Sequence, residues 1–170
     1  KDLLIPVGSS YTVKLKAPQG FSGYYDGYLY LYDLDTQDYP VQKSVEFEGT
    51  ETTVSLSIPS GEGRYALRIY LYEGPGVVTN SNYYYNNTTS TWVNNTDEAT
   101  ALDFAEDGIE VTLPKAKTIS GKLVTADGSA IETLEDGFGF SIYQKGDSYD
   151  SSVRSNRTID ANGNFTLTVP

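Results

Sequence analysis

The sequence contains no cysteine, no histidine and no methionine. Without cysteine and histidine, the chain has no disulfides and lacks the Ser-His-Asp and Cys-His nucleophile systems and the usual zinc ligand sets. The lack of cysteine also excludes the small disulfide-stapled class of secreted protein. It is compatible with a cytosolic protein or with a surface protein of a Gram-positive bacterium.

Positive charge is scarce, with 12 Lys and Arg against 23 Asp and Glu and a formal net charge of −11. Phosphate backbones require clustered basic side chains, so we expect no nucleic acid partner. An anionic membrane surface is disfavoured for the same reason. No apolar run approaches the roughly 18 residues that a membrane helix needs, so we expect no membrane insertion. No Asp or Glu stands in a distinctive catalytic motif, and we expect that the chain is not an enzyme.

Tyrosine and glycine are abundant, with 15 and 16 copies. Most segments alternate apolar and polar residues with a period of two, which is typical of β-strands. Residues 74–97 are predicted to be an irregular stretch that caps one end. The pattern predicts an all-β fold, an antiparallel Greek-key β-sandwich of the Ig-like or transthyretin-like kind. The predicted strands cover residues 11–16, 28–32, 53–58, 65–72, 99–104, 109–113, 118–125, 138–143 and 164–169.

The two parts of the chain resemble each other. Lys14-Leu15 matches Lys122-Leu123 at the same spacing that relates Ile5-Pro6 to Leu113-Pro114, and residues 53–59 match 164–170. Such internal similarity is the signature of tandem units. The chain is therefore predicted to hold one complete unit and part of a second, as a piece of a longer array. The predicted parts are 1–7, the last strand of a preceding unit or a lead-in strand; 8–113, the complete unit; and 114–170, the partial unit.

A strand followed by an Asp-Gly turn at Ile119–Gly128, closed by Gly163-Asn164-Phe165-Thr166-Leu167, carries a family resemblance. This pattern resembles carboxypeptidase-regulatory-like (transthyretin-like) repeats and is similar to the Cna-B-type repeats of bacterial surface proteins. The resemblance implies an extracellular, cell-surface or cell-wall location. It also implies an intramolecular Lys–Asn isopeptide bond in many members. Lys16 is the only candidate lysine here, and Glu73 is displaced from the position of the family's acidic residue.

The tyrosines are the main candidates for a binding site. If the strands at 28–32 and 65–72 are neighbours, their outward side chains form an aromatic stripe beside an arginine. Flat aromatic surfaces suit sugar rings and peptide side chains, although tyrosine is also an ordinary strand residue. Trp92 belongs either to a second aromatic cluster or to the packing at one end of the sandwich. The candidate ligand-binding residues are Tyr28, Tyr30, Tyr32, Arg68, Tyr70, Tyr72 and Trp92.

Three acidic residues follow the first tyrosine-rich segment, at Asp33, Asp35 and Asp38. Carboxylate oxygens suit Ca²⁺, but the spacing lacks the glycine and the final glutamate of an EF-hand loop. The alternative is a solvated acidic turn. No other cofactor is expected.

Two functional hypotheses follow. The first is a non-catalytic structural or adhesive repeat of a secreted or cell-wall-attached bacterial surface protein, which acts as a spacer or a protein-binding stalk. Its partners would be neighbouring repeats and an extracellular protein or glycan. The alternative is a carbohydrate-binding accessory module of a secreted glycan-degrading enzyme, in which exposed tyrosines bind the sugar.

Overall fold

The computed structural model describes residues 10–58, 63–129, 142–143, 152–153 and 156–169. The chain forms two compact units, Lys1–Pro114 and Lys115–Pro170. The described residues are all-β and include no α-helix, with a single 3₁₀ turn at Thr96–Glu98. The predicted strand at 1–7 lies outside the described residues.

The first unit contains two sheets. Its strands are β1 (Ser10–Lys16), β2 (Gly23–Asp33), β3 (Val41–Gly49), β4 (Glu51–Ser57), β5 (Tyr65–Glu73), β6 (Asn82–Asn86), β7 (Thr91–Val93) and β8 (Gly108–Thr112). An antiparallel sheet has the order β3-β2-β5-β6-β7, and a mixed sheet has the order β4-β1-β8. In the mixed sheet β1 runs parallel to β8, with Val13 opposite Ile109. The expectation of a wholly antiparallel fold is therefore wrong for this pair. A parallel pair needs a long connection, which the intervening six strands provide.

The core of this unit follows the predicted alternation. Tyr11, Val13 and Leu15 on β1 are buried, and so are Leu29 and Leu31 on β2. Burial of these apolar side chains is the main force that holds such a fold together. Alternation continues through Leu67, Ile69 and Leu71 on β5, whereas β6 buries three consecutive tyrosines because both of its faces are covered. The remaining fully buried aliphatic side chains are Val45, Leu56, Val78 and Leu113.

Two predictions of secondary structure are wrong. Residues 74–97, expected to be irregular, contain β6 and β7, which extend the antiparallel sheet. The segment 99–104, expected to be a strand, forms none. It contributes to the core through Leu102, which is buried and whose N–H donates to the carbonyl of Tyr65. The alternation of apolar and polar residues at 99–104 therefore predicted the burial of Leu102 correctly. Burial alone, however, does not produce a paired strand.

β5 contains a β-bulge at Tyr72, where its register with β2 shifts by one residue between Asp26 and Gly27. A Cβ atom at Gly27 would lie 2.3 Å from the carbonyl oxygen of Tyr70. Only glycine permits this close approach of the two backbones. Because the bulge leaves Tyr72 as the extra residue of β5, it determines where that ring lies on the sheet.

The second unit is described in part. Its strands are β9 (Lys117–Lys122), β10 (Ile142–Tyr143), β11 (Ser152–Val153), β12 (Asn156–Ile159) and β13 (Asn164–Val169). They form a sheet of order β12-β13-β9 and a two-stranded sheet of β10 and β11. Of the strand predicted at 138–143, residues 138–141 lie outside the described residues.

The turn between β12 and β13 has the predicted chemistry. Gly163 has a φ of 78°, a left-handed conformation that glycine adopts without strain. The Asp160 carboxylate accepts hydrogen bonds from the backbone N–H groups of Asn162 and Asn164, each at 2.9 Å. Hydrogen bonds from the Asn164 side chain and backbone lower the pKa of Asp160, because they stabilise its charged form.

Candidate functional site

The outer face of the five-stranded sheet is built mainly of tyrosines. Strands β2 and β5 are neighbours, with Tyr28 opposite Tyr70 and Tyr30 opposite Arg68. Residues directly opposite each other in an antiparallel pair have their side chains on the same face. The apolar Leu29 therefore lies on the core side, and the tyrosines lie on the other. This is the stripe that the sequence predicts if the two strands are adjacent.

Seven rings on this face form a continuous series of contacts, which we call the tyrosine face. The closest pair is Tyr32 and Tyr84, whose ring centroids are 5.1 Å apart. Centroid separations of this size are typical of favourable aromatic pairs. The other contacts in the series are Tyr70–Tyr72 at 5.2 Å, Tyr72–Tyr28 at 5.9 Å, Tyr28–Tyr30 at 6.1 Å, Tyr30–Tyr39 at 5.6 Å and Tyr39–Tyr32 at 5.4 Å.

One end of the tyrosine face, the closed half, surrounds Arg68. The guanidinium carbon lies 4.3 Å from the ring centroid of Tyr30 and 4.5 Å from that of Tyr39. Its Nη2 donates to Oδ1 of Asn82 at 2.5 Å, whereas its buried Nε has no acceptor among the described residues. The two rings therefore provide the negative surface that stabilises this side of the cation.

Within the closed half Tyr39 is itself 44% exposed, whereas the two rings that it and its neighbours cover are buried. Tyr32 is 4% exposed and Tyr84 is 6% exposed. Tyr32 is on the outer face as predicted, but Tyr39 and Tyr84 cover it. Burial and the 3.4 Å contact with the Tyr39 hydroxyl raise the pKa of Tyr84. Tyr39 itself was missed by sequence reasoning, since it lies in the loop between β2 and β3, outside any alternating segment.

The other end, the open half, consists of Tyr28, Tyr70 and Tyr72, with Tyr24 beyond them. Tyr72 is 49% exposed and Tyr24 is 42% exposed. Desolvation raises the pKa of Tyr72, and neighbouring tyrosines and Asp26 raise it further. This half therefore presents ring surface to solvent.

Carboxylates border the open half. The Tyr24 hydroxyl donates to Oε1 of Glu46 at 3.0 Å, and this bond is the largest cause of the raised pKa of Tyr24. Asp26 lies opposite Glu46 and Glu73 on the two neighbouring strands, and the charges of Asp26 and Glu73 also raise the pKa of Tyr24. Within the described part of the first unit, no lysine or arginine forms an ion pair with Asp26, Glu46 or Glu73.

Trp92 does not join the tyrosine face. On β7 it lies opposite Tyr85 of β6. Because successive side chains of a strand point to opposite faces, Tyr85 and Trp92 lie on the other face of the sheet from Tyr84. The ring of Trp92 contacts that of Tyr85 edge-on at 5.2 Å. Its Nε1 donates to the carbonyl of Thr112 at 2.6 Å, which links β7 to β8.

The acidic residues proposed for calcium form a turn at the end of β2. The Asp33 carboxylate accepts the N–H groups of Asp35 and Thr36 at 2.8 and 3.1 Å, and its N–H donates to the carbonyl of Asp38. Asp35 forms an ion pair with Arg64 at 2.5 Å, and the resulting hydrogen bond lowers the pKa of Asp35. Among the described residues, no group of three acidic side chains is arranged to hold a metal ion.

The lysine and the acidic residue considered in connection with an isopeptide bond lie on different sheets. Lys16 lies on β1 of the mixed sheet, where its amine forms an ion pair with Glu110. Glu73 lies on β5 of the other sheet. Among the described residues, the ion pairs of Lys16 do not include Glu73.

Comparison of the chain with protein-family models, with curated proteins and with solved structures finds no match. The resemblance drawn from the sequence is therefore supported only as far as an all-β protein with several antiparallel sheets. In the part of the chain that is described, there is no helix with the length and apolar character to cross a bilayer.

Proposed function

We propose that the chain is a non-catalytic structural or adhesive repeat of a secreted or cell-wall-attached bacterial surface protein. It acts there as a spacer or as a protein-binding stalk. Each complete unit is a β-sandwich with Greek-key connections, and consecutive units follow one another along a longer array. One observation carries this proposal, namely the equivalent strand pairing in the two units.

The residues matched by the internal repeat have matching partners. In the first unit Tyr11 lies opposite Leu56. Their counterparts in the second unit, Ile119 and Leu167, also lie opposite each other. A one-residue slip would place every side chain on the wrong face of a sheet, so an identical register is a specific similarity. Equivalent pairing at both places supports two copies of one repeated unit.

The two sheets of the first unit favour a sandwich. Tyr11 of the mixed sheet and Tyr65 of the five-stranded sheet both contact the ring of Phe104, at 5.0 and 6.2 Å. Each sheet has one apolar face, and burying two such faces against each other is the common solution for all-β domains. The absence of cysteine and histidine supports a role that needs neither thiolate nor imidazole chemistry.

The test of this proposal is whether the segment is displayed outside the cell. Antibodies raised against the purified fragment should label intact cells that produce the full-length protein, and brief protease treatment of those cells should remove the label. A cytoplasmic marker should stay protected in the same cells. Labelling that requires permeabilisation would refute a surface location.

A second candidate is a carbohydrate-binding accessory module of a secreted glycan-degrading enzyme. The exposed ring of Tyr72 and the half-buried ring of Tyr70 beside it favour this function, because tyrosine faces can cover the C–H patches of sugars. Saturable binding of a neutral oligosaccharide that depends on Tyr70 would support this function over that of a spacer.

A further inference from the structure

The two halves of the tyrosine face differ by one cation. In the closed half, the Arg68 guanidinium lies between the rings of Tyr30 and Tyr39, at 4.3 and 4.5 Å from their centroids. The fold therefore uses rings on this surface to hold an arginine side chain. The open half contains comparable ring pairs but no basic residue of its own strands, since the outward positions of β2 and β5 there are tyrosine or acidic.

The open half has the geometry to receive a planar cation. Tyr72 contacts Tyr28 and Tyr70 edge-on, with interplanar angles of 79° and 74°. In each such pair the ring faces point in different directions, so that a side chain laid against one face meets the edge of the next. A guanidinium can stack flat on an aromatic face while its N–H groups reach acceptors at the rim.

The charges around the open half select a cation over an anion. Asp26 lies opposite Glu46 on β3 and opposite Glu73 on β5, and the Glu46 carboxylate accepts the hydrogen bond of the Tyr24 hydroxyl. The negative ring faces and these carboxylates attract positive charge together. An anionic ligand, such as an acidic glycan, would be repelled by the same groups.

The first unit has no described cation of its own that fills this place. Arg68 is in the closed half, and Arg64 is paired with Asp35. Lys43 lies opposite Leu29, on the core-side face of the sheet. The two lysines of β1, on the mixed sheet, pair with Glu51 and Glu110.

We propose that the open half binds an arginine side chain from an extended segment of a partner protein. The ring of Tyr72 stacks on the guanidinium, and the carboxylates of Asp26 and Glu46 accept its N–H groups. This inference rests on the proposed role as a protein-binding stalk and specifies the chemistry of the partner. Lysine would bind more weakly, because an ammonium cannot stack.

The experiment is a titration of the intact fragment with a short peptide, acetyl-Gly-Arg-Gly-Arg-Gly-amide, followed by backbone amide shifts in NMR. The matched probe replaces both arginines with citrulline, which keeps the shape and removes the charge. We expect saturable binding of the arginine peptide only, with shifts centred on β2 and β5. Raising the ionic strength to about 0.15 M should weaken it, because exposed charges are screened.

Four variants distinguish the contribution of the Tyr72 ring to binding from that of the Asp26 charge. Tyr72→Ala should weaken binding by about two- to fivefold, the range for one exposed cation–π contact, whereas Tyr72→Phe should retain it because the ring face remains. Asp26→Asn should weaken binding and reduce its salt dependence. Glu106→Gln removes an exposed carboxylate outside the tyrosine face and should change nothing. Circular dichroism establishes that each variant is folded.

The outcomes are distinct. No binding, equal binding of the citrulline peptide, or arginine binding that is unchanged in Tyr72→Ala would each overturn the proposal. A third probe, cellohexaose, identifies the competing occupant: if it binds and loses affinity in Tyr72→Ala while the arginine peptide does not bind, the face is a glycan site. The surface-labelling experiment on cells tests the proposed location and does not depend on the peptide titration. Failure of arginine binding and failure of the surface location are therefore distinguishable.

Discussion

The closed and open halves of the tyrosine face both contain tyrosines of β2 and a residue of β5, yet they have different environments. In the closed half, Tyr39 folds back from a loop and Tyr84 is contributed by β6, so that the rings enclose Arg68. In the open half Tyr72 is 49% exposed, and the paired carboxylates of Asp26 and Glu73 border it. A run of outward tyrosines on one sheet is therefore not a single functional unit. What covers each ring decides whether it stabilises the fold or is available to a ligand.

The largest expected effect is a difference in stability between two variants, one that loses a ring of the closed half and one that loses a ring of the open half. Tyr32→Ala removes a ring that is 4% exposed and contacts Tyr39 and Tyr84. We expect the free energy of unfolding to fall by about 3 kcal/mol, as for large-to-small changes at buried aromatic positions. Tyr72→Ala, at an exposed ring, should cost much less. Urea denaturation of both variants checks this order.

If Tyr72→Ala destabilises the protein as much as Tyr32→Ala, the distinction between the two halves is wrong. Such a result would mean that the open half is also structural and that its exposed rings are needed for folding. Tyr32→Phe is the control, since it keeps the ring and should remain close to the original stability.

The second prediction concerns the bulge that positions Tyr72. In Gly27→Ala the new methyl group would lie 2.3 Å from the Tyr70 carbonyl oxygen, so that β2 and β5 must separate locally. We expect a loss of about 2 kcal/mol, typical of overpacking. NMR shifts should change around Tyr72 and much less around Arg68. Equal changes in both halves would show that the bulge does not act on the open half alone.

The smallest effect comes from the opposite side of β6. Burial raises the pKa of Tyr83 from 10.0 to about 12, and its hydroxyl has no hydrogen-bond partner within the described residues. Because the unfolded chain ionises first, stability should fall as pH rises from about 10 through about 12. Tyr83→Phe removes the unpaired hydroxyl, so it should gain up to about 1 kcal/mol at neutral pH.

Urea denaturation at pH 8 and at pH 11 provides the measurement for Tyr83→Phe. The variant should lose less stability between these two pH values than the original protein. An identical loss would assign the alkaline sensitivity to other tyrosines, of which Tyr84, with its raised pKa on the tyrosine face, is the first candidate.

Local pattern was a good guide at β1 and β2, but it missed β3, which is fully paired with β2 and buries Val45 and Phe47. The alternation around Val13 and Leu29 predicted both the strands and their buried faces. Pattern failed at 74–97, because polar residues such as Asn82 and Asn86 obscured β6. It also failed at 99–104, where Leu102 is buried without a partner strand. Strand formation needs a neighbour to accept and donate hydrogen bonds, and a single segment does not reveal its neighbour.

The candidate site was predictable only in part for the same reason. The outward positions of Tyr28, Tyr30 and Tyr70 followed from the two-residue period of a strand. Nothing in the sequence signals that Tyr39 contacts Arg68, because the two residues are brought together by a loop whose path depends on the whole sheet. Trp92, grouped with the tyrosines by composition, lies on the other side of the sheet.

The all-β character of this protein, the faces of its principal strands and the lack of thiol and imidazole chemistry were all predictable from the amino-acid sequence. These properties depend on residue type and on spacing along a single strand. Only the tertiary structure decided that β1 runs parallel to β8, that β6 and β7 extend the tyrosine-bearing sheet, and that one half of the tyrosine face encloses its own cation while the other does not. These properties depend on which strands become neighbours, and that choice is made by the packing of the whole chain rather than by any one segment.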